Sequence, residues 1–230
     1  MCVFEIRLKI FLLKDIKINK LQSTIASFID KSLAKKKEFL ELHYRNEFKN
    51  YCFDGMYPLS DNGIYNSNNI YTITIRTIDK KLADYFNENI SNEFDSNIKG
   101  LVSELRILPR KYIDKIYSIT PVIVKTESGY WKGKLTVEEY EKRLRENLFK
   151  KYKMINNASI DEKIEIYNSI EFINKKPIGC LFKNIELLGD KIALKIADDK
   201  LSQELAYMSL GTGVLEMNSR GYGFMNYRWL

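Results

Sequence analysis

Hydrophobic and polar residues alternate strictly at the start of the chain. Cys2, Phe4, Ile6, Leu8, Ile10 and Leu12 fall on one face, and Glu5, Arg7 and Lys9 on the other. That period of two predicts a half-buried strand with its charged face toward water. The rhythm changes at Asn19. Leu21, Ile25, Phe28, Ile29 and Leu33 share one helical face, and Asn19 with Gln22 has the spacing of a capping box. The helix runs into the basic patch Lys35, Lys36 and Lys37, and a polar stretch follows. Tyr51 to Tyr57 predicts a short strand interrupted at Gly55. Ser60 to Asn69, rich in Asn, Asp, Ser and Gly, predicts a loop. Ile70 to Ile78 predicts a strand. Asp79 is placed to cap a helix whose inner face is Leu82, Phe86 and Ile90, and Leu101 to Leu108 predicts another strand.

The order strand, helix, strand, strand, helix, strand then repeats. Ile116 to Val124 predicts a strand, and Thr136 to Ile155 a long amphipathic helix with Val137, Tyr140, Leu144, Leu148 and Tyr152 at helical spacing. Ile170 to Phe182 and Ile185 to Ile196 predict two paired strands, the second turning or bulging at Gly189-Asp190. Asp199 caps a helix through Leu201, Leu205 and Met208, and Phe224 to Trp229 is the last strand. Two successive βαββαβ units fit this order. The fold class is therefore α+β, with two tandem ferredoxin-like domains at 1–110 and 111–230, divided near Pro109 to Lys111.

Composition narrows the partners. The chain has 230 residues and is 45% hydrophobic, enough for sizeable cores. Its 37 Lys and Arg against 30 Asp and Glu leave a formal charge of +7, which is compatible with a polyanion partner but does not establish one. Cys2, Cys52 and Cys180 form no CxxC, and the single histidine cannot complete a zinc set, so neither a metal nor any other cofactor is expected. Charges at Glu5, Arg7 and Lys9 break what would otherwise be a signal-like apolar start, and no run of about 18 apolar residues exists. A reduced, cytoplasmic chain without a membrane span is the expectation. Positive charge gathers in Trp131 to Lys153, where Lys132, Lys134, Lys142, Arg143, Arg145, Lys150, Lys151 and Lys153 face four Glu. Such a helix suits an RNA backbone through Lys142 and Arg145. A solvated face with internal Glu–Lys pairs accounts equally for about half of these residues.

Four of the 11 glycines lie in Leu210 to Phe224, a segment placed after a helix and before a strand. That order is the reverse of what a dinucleotide fingerprint needs. Gly211, Gly213, Gly221 and Gly223 could expose successive N–H groups as an anion nest beside Ser219 and Arg220. They would serve a tight helix-to-strand connection as well.

Gly211-x-Gly213 followed by Asn218-Ser219-Arg220-Gly221-Tyr222-Gly223-Phe224 resembles the C-terminal signature of the CRISPR-associated endoribonucleases that cut repeat RNA, members of the repeat-associated mysterious protein superfamily. Tyr222 stands where Phe is usual. Phe39 to Pro58 is similar to the family's segment after the first helix, a His followed by a Phe- and Tyr-rich strand. The resemblance implies two ferredoxin-like domains and a prokaryotic protein that binds CRISPR repeat RNA. It also implies metal-independent cleavage to guide RNA, with a 2′,3′-cyclic phosphate as product. It makes the only histidine, His43, the candidate acid–base residue and Lys49 a candidate charge stabiliser, with Arg45 beside them as an RNA contact. Some members place a catalytic tyrosine in the first helix, whereas this helix has Phe28 and no Tyr, which leaves a second proton-transfer role unassigned. Whether other subunits of an effector complex or a second copy of the chain join it stays open. Two rivals also stay open: a subunit that holds guide RNA without cutting it, and a protein–protein scaffold.

Overall fold

A computed structural model of the chain describes residues 1–44, 48–127, 129–157, 159–183 and 185–230, without the side chains of 42–44. The first half runs β1 (Phe4–Leu12), β2 (Ile16–Lys17), a 3-10 turn at Ile18–Lys20, α1 (Leu21–Ala34), α2 (Lys37–Tyr44), β3 (Tyr51–Tyr57), β4 (Ile64–Tyr65), β5 (Ile70–Thr77), α3 (Lys80–Asn89) and β6 (Ile98–Ile107). The second half runs β7 (Ile113–Ser118), α4 (Val137–Asn156), β8 (Tyr167–Phe172), β9 (Ile178–Phe182), β10 (Ile185–Gly189), β11 (Ile192–Ile196), α5 (Lys200–Thr212) and β12 (Met225–Trp229).

Two four-stranded antiparallel sheets result, in the orders β3-β5-β1-β6 and β12-β7-β11-β8. In each, the first strand is central, its neighbours are the third and fourth, and the second strand lies at the edge beside the third. That is the ferredoxin-like topology, found twice, as the alternation and helix spacing predict. Ile6, Leu8 and Ile10 pack with Ile25, Phe28 and Ile29 of α1 and Phe86 of α3 in the first core. Tyr140, Leu144 and Leu148 of α4 meet Ile192, Leu194 and Leu205 in the second. Burial of one such side chain stabilises by about 1.5–3 kcal/mol.

Local signals explain most element ends. Asp79 caps α3 as expected, accepting N–H bonds from Lys81 and Leu82. The Gly55 interruption is a register shift between Phe53 and Met56. Four expectations need correction. Asn19 does not cap α1, because Ile18–Lys20 is already a 3-10 turn and Lys20 takes the cap position. The polar stretch after α1 contains a second helix, α2, which carries the backbone of His43. Ile116 to Val124 holds the strand only through Ser118; beyond it, Val122 and Ile123 bridge singly to Asp190 and Glu216. The two long strands after α4 each split in two, so that β8 and β11 stay in the sheet while β9 and β10 form a separate hairpin. The split at Gly189-Asp190 follows from Asp190, which is fully buried and accepts from Tyr130, Trp131 and Asn174.

The charged face of β1 is also not the water face expected. Glu5 is buried beside Arg76 and Arg106 at 2.7 Å each, and Arg76 reaches across to the carbonyl of Met225 in β12 at 2.7 Å. Burial pushes the Glu5 carboxyl up, but the two guanidiniums outweigh it and hold the group below its usual range. Helix α5 supplies a second link. Its Tyr207 hydroxyl accepts from the Val3 N–H at 3.2 Å and donates to the Leu108 carbonyl at 2.7 Å. Gly211 lets α5 approach closely; a Cβ there would lie 2.8 Å from Ile78 and 3.2 Å from Val3. The third neighbour of that Cβ is the main-chain carbon of Thr77, the last residue of β5, at 3.3 Å. Gly211→Ala is therefore expected to destabilise the protein by about 1–3 kcal/mol through overpacking, read as a lower urea midpoint. An unchanged midpoint would show that this contact is not tight.

Candidate nucleic-acid interface

The segment between α5 and β12 is a compact turn built on left-handed backbone. Gly213, Gly221 and Gly223 have φ of 70°, 84° and 65°, and Leu215 and Met217 share that region at 53° and 61°. At Gly223 a Cβ would come within 2.3 Å of the Val214 carbonyl, so only glycine fits. The Asn218 side chain closes the turn from inside. Its Nδ2 donates to the carbonyls of Val214 at 2.8 Å and Tyr222 at 3.0 Å. Its Oδ1 accepts from Lys151 Nζ at 2.7 Å.

Lys151, on α4, is 3% exposed. Its ammonium also donates to the carbonyls of Gly213 at 2.9 Å and Leu215 at 3.2 Å, and it lies 4.8 Å from the centre of the Phe48 ring. Burial pulls its pKa down to about 7, against smaller upward contributions from Cys52 and Glu216. The outer edge of the turn grips the first half of the chain. Arg220 is ion-paired with Asp30 of α1, Ser219 lies beside the buried hydroxyl of Tyr51, and Gly221 sits against Gln22 and Phe53.

These elements border one cleft of about 510 Å³. Phe48 and Lys49 form one wall, α4 contributes Asn147, Lys150, Lys151 and Met154, Lys125 lies at a further edge, and residues 215–220 form the floor. Among the described residues, Lys49, Lys125, Lys150, Lys151 and Arg220 are set there against one lining carboxylate, Glu216. Glu216 is itself engaged, accepting from the Lys125 N–H at 3.0 Å. Low-dielectric walls around a surplus of cations concentrate positive potential where a phosphate chain can enter.

The structure brings together Lys49, Ser219 and Arg220. The backbone of His43 lies in α2, while its side chain and the whole of Arg45 lie outside the described residues. Lys142 and Arg145 are not in the cleft. They pair with Glu146 and Glu141 along the helix, and Arg145 borders a different groove. The glycines also need correction as an anion nest. Gly211 is buried within α5, and the N–H groups of Gly213, Gly221 and Gly223 already donate to the carbonyls of Ser209, Asn218 and Pro121 at 2.8, 3.0 and 2.9 Å. A buried donor that is already satisfied has nothing left for a phosphate. These glycines shape the turn, and the side chains around it face the cleft.

Lys125, Lys150 and Lys151 were missed as site residues. Part of the signal was available. At 100° per residue, Lys150 and Lys151 fall on the face of α4 shared with Asn147 and Met154, while Lys142 and Arg145 fall about 160–220° away from Asn147. Nothing in the helical pattern marks Lys151 as buried, because its acceptors come from more than 60 residues later in the chain.

Two ferredoxin-like domains and a glycine-rich turn before the last strand define a protein of the class that the C-terminal signature resembles. The sequence model of the family described as CRISPR associated protein Cas6, C-terminal, matches residues 108–227, more than half of the chain. The chain belongs to this family. It is similar to a protein of Methanocaldococcus jannaschii named CRISPR-associated endoribonuclease Cas6 2, at 26% identity over 91% of this chain and 92% of that one. Among solved structures it is similar to one titled CRISPR associated protein Cas6, with a TM-score of 0.70 at 20% identity over 98% and 99% of the two chains. It is similar also to one titled an RAMP protein binding different RNA substrates, with a TM-score of 0.72 at 18% identity over 98% and 99%. Among the described residues no helix is long and apolar enough to cross a membrane, and no group of three or more His, Cys, Asp or Glu is placed to hold a metal ion.

Burial of Lys151 gives a pH signature. Its folded value of about 7 lies below the ordinary 10.5, so the unfolded chain binds more protons between those two values. Stability contributed by this group is lost as pH falls toward 7 and is regained as pH rises toward 10. The stability of wild type relative to Lys151→Met is expected to increase from pH 6.5 to pH 9.5 in paired urea titrations. A difference that stays flat or falls would mean that the ammonium is not destabilised by burial.

Proposed function

We propose that the chain binds CRISPR repeat RNA in the cationic cleft and cleaves the precursor transcript to guide RNA without a metal ion. The observation that carries this reading is the convergence of Lys49, Lys125, Lys150 and Arg220 on one cleft, in a member of the Cas6 family. The name of the Methanocaldococcus jannaschii relative, an endoribonuclease, supports cleavage over holding alone. The halves 1–110 and 111–230 act as two domains that flank the RNA.

RNA supplies its own nucleophile. The 2′-hydroxyl beside the scissile phosphate forms a new P–O bond while the bond to the 5′ oxygen breaks, leaving a 2′,3′-cyclic phosphate and a 5′-hydroxyl. The protein needs to hold the two oxygens in line, move a proton and offset charge on the phosphorane-like transition state. His43 is the candidate proton carrier, because an imidazole titrates near neutrality. Lys49 is the candidate for the non-bridging oxygens, with Ser219 and Arg220 holding phosphate beside it. Arg220 already shares its charge with Asp30, so it orients more than it attracts. Lys125 and Lys150 contact the backbone further along, and Arg45 is a further candidate contact, whereas Lys142 and Arg145 turn away from the cleft and are left out of it.

His43→Ala is expected to lose about 10²–10⁴-fold in cleavage rate, the range of general acid–base assistance, while binding repeat RNA as wild type does. A 2′-deoxy substitution at the scissile nucleotide should block the reaction, and EDTA should leave it unchanged. Cleavage of the deoxy substrate, or a rate that EDTA abolishes, would overturn the chemistry. Lys150→Ala is expected to weaken binding across all repeat sequences and to lower the slope of log affinity against log salt by about 0.7–0.9, the share of one neutralised phosphate. A slope unchanged in that variant would remove Lys150 from the interface.

A further inference from the structure

We infer that Lys151 is a positioning residue: it fixes the glycine-rich turn against the Phe48-Lys49 wall and so sets the spacing between Lys49 and Ser219-Arg220. The inference rests on the reading of the cleft as the RNA site.

The geometry behind it is a closed set of bonds. In its protonated form Lys151 has three protons, and three oxygens surround its nitrogen: Gly213 O, Leu215 O and Asn218 Oδ1, at 2.9, 3.2 and 2.7 Å. The Phe48 ring covers a further side at 4.8 Å. Asn218 passes the constraint on through its own amide to Val214 and Tyr222. One side chain of α4 therefore holds both ends of the turn and touches the residue before Lys49.

The turn needs such a hold. Leu215 and Met217 occupy left-handed backbone, which costs each non-glycine residue about 1 kcal/mol or more and persists only where its surroundings over-determine it. Ser219 and Arg220 follow directly on this strained stretch. Without Lys151 the carbonyls of Gly213 and Leu215 would lose their buried donor, and the turn could relax.

Lys151 is not the missing proton donor. All its protons are engaged with protein oxygens, and it is 3% exposed. A phosphate in the cleft would meet Lys150, which is exposed on the same helix. The role is therefore indirect, and it can be told apart from a charge contact.

The test uses the full-length protein, a 5′-labelled synthetic CRISPR repeat RNA, and the variants Lys151→Met and Asn218→Ala. Single-turnover cleavage by Lys151→Met is expected to fall by about 10–100-fold, the penalty of a displacement near 1 Å at the reacting centre. Its affinity is expected to stay within about threefold, and its salt slope to equal that of wild type, unlike Lys150→Ala. Asn218→Ala keeps the cation and removes the strut, so the same signature is expected. In RNA-free protein both variants should lose hydrogen-exchange protection at the amides of Val214 and Tyr222. A Lys151→Met slope reduced like that of Lys150→Ala would make Lys151 a phosphate contact and overturn the inference, as would wild-type cleavage in either variant. If Lys151→Met does not fold, Asn218→Ala alone decides. Loss of protection together with a wild-type protein that neither binds nor cuts repeat RNA would sink the functional reading and leave the strut standing.

Discussion

When protonated, Lys151 carries a positive charge into a place where water scarcely reaches, and much of the site is arranged to satisfy it. An unpaired buried ammonium would cost several kcal/mol. The solution here is three oxygens of a single turn, two of them main-chain carbonyls that point inward only because the backbone around them is left-handed. Glycine at 213, 221 and 223 makes that backbone affordable. Asn218 completes the arrangement, since it both accepts from the ammonium and donates across the turn. The glycines of the signature are thus the geometric counterpart of a cation that lies outside the signature.

The same turn joins the two halves of the molecule. Arg220 meets Asp30 of α1, Ser219 meets Tyr51 at the start of β3, and Gly221 sits against Gln22 and Phe53. Elsewhere, Arg76 ties Glu5 to Met225, Tyr207 bonds both Val3 and Leu108, and Gly211 lets α5 lie against Val3 and Ile78. Most of these contacts are buried, and the Arg220–Asp30 pair is partly so. The halves are held in one relation, and the cleft between residue 48–49 and α4 inherits its width from it.

The elements were legible in the sequence where one pattern governs one element. The alternation of β1, the helical spacing of α4 and the Asp79 cap all read directly, and the order of elements sufficed for two ferredoxin-like units. What was illegible depended on partners distant in the chain. Glu5 reads as a surface charge because its period-two face is polar, yet Arg76 and Arg106 arrive from later strands to bury it. The long strands after α4 read as continuous because Ile, Leu and Phe continue through them. They split because Asp190 is drawn inward by Trp131 and Tyr130 some 60 residues earlier. The glycine-rich segment pointed correctly to its family, but the inference from glycine to exposed amides failed. Positive φ shows that a backbone bends, and it does not show which way the N–H groups face once the turn has packed.

The basic helix shows why charge counted along a chain and charge delivered to a site are different quantities. Lys142, Arg145, Lys150 and Lys151 lie within ten residues and contribute equally to a net charge. On the helix the first two turn away from the cleft and are matched by Glu146 and Glu141, so their field outside the pair is weak. Lys150 faces the cleft from an exposed position. Lys151, one residue later, faces it from beneath, with its protons committed to the turn. A rotation of 100° between neighbours is enough to make one lysine a contact for a polyanion and the next a part of the frame that tells the polyanion where to lie. The excess of seven positive charges therefore says little by itself. Its meaning comes from which of those charges the helix face, the glycine turn and the first-half wall bring to the same opening.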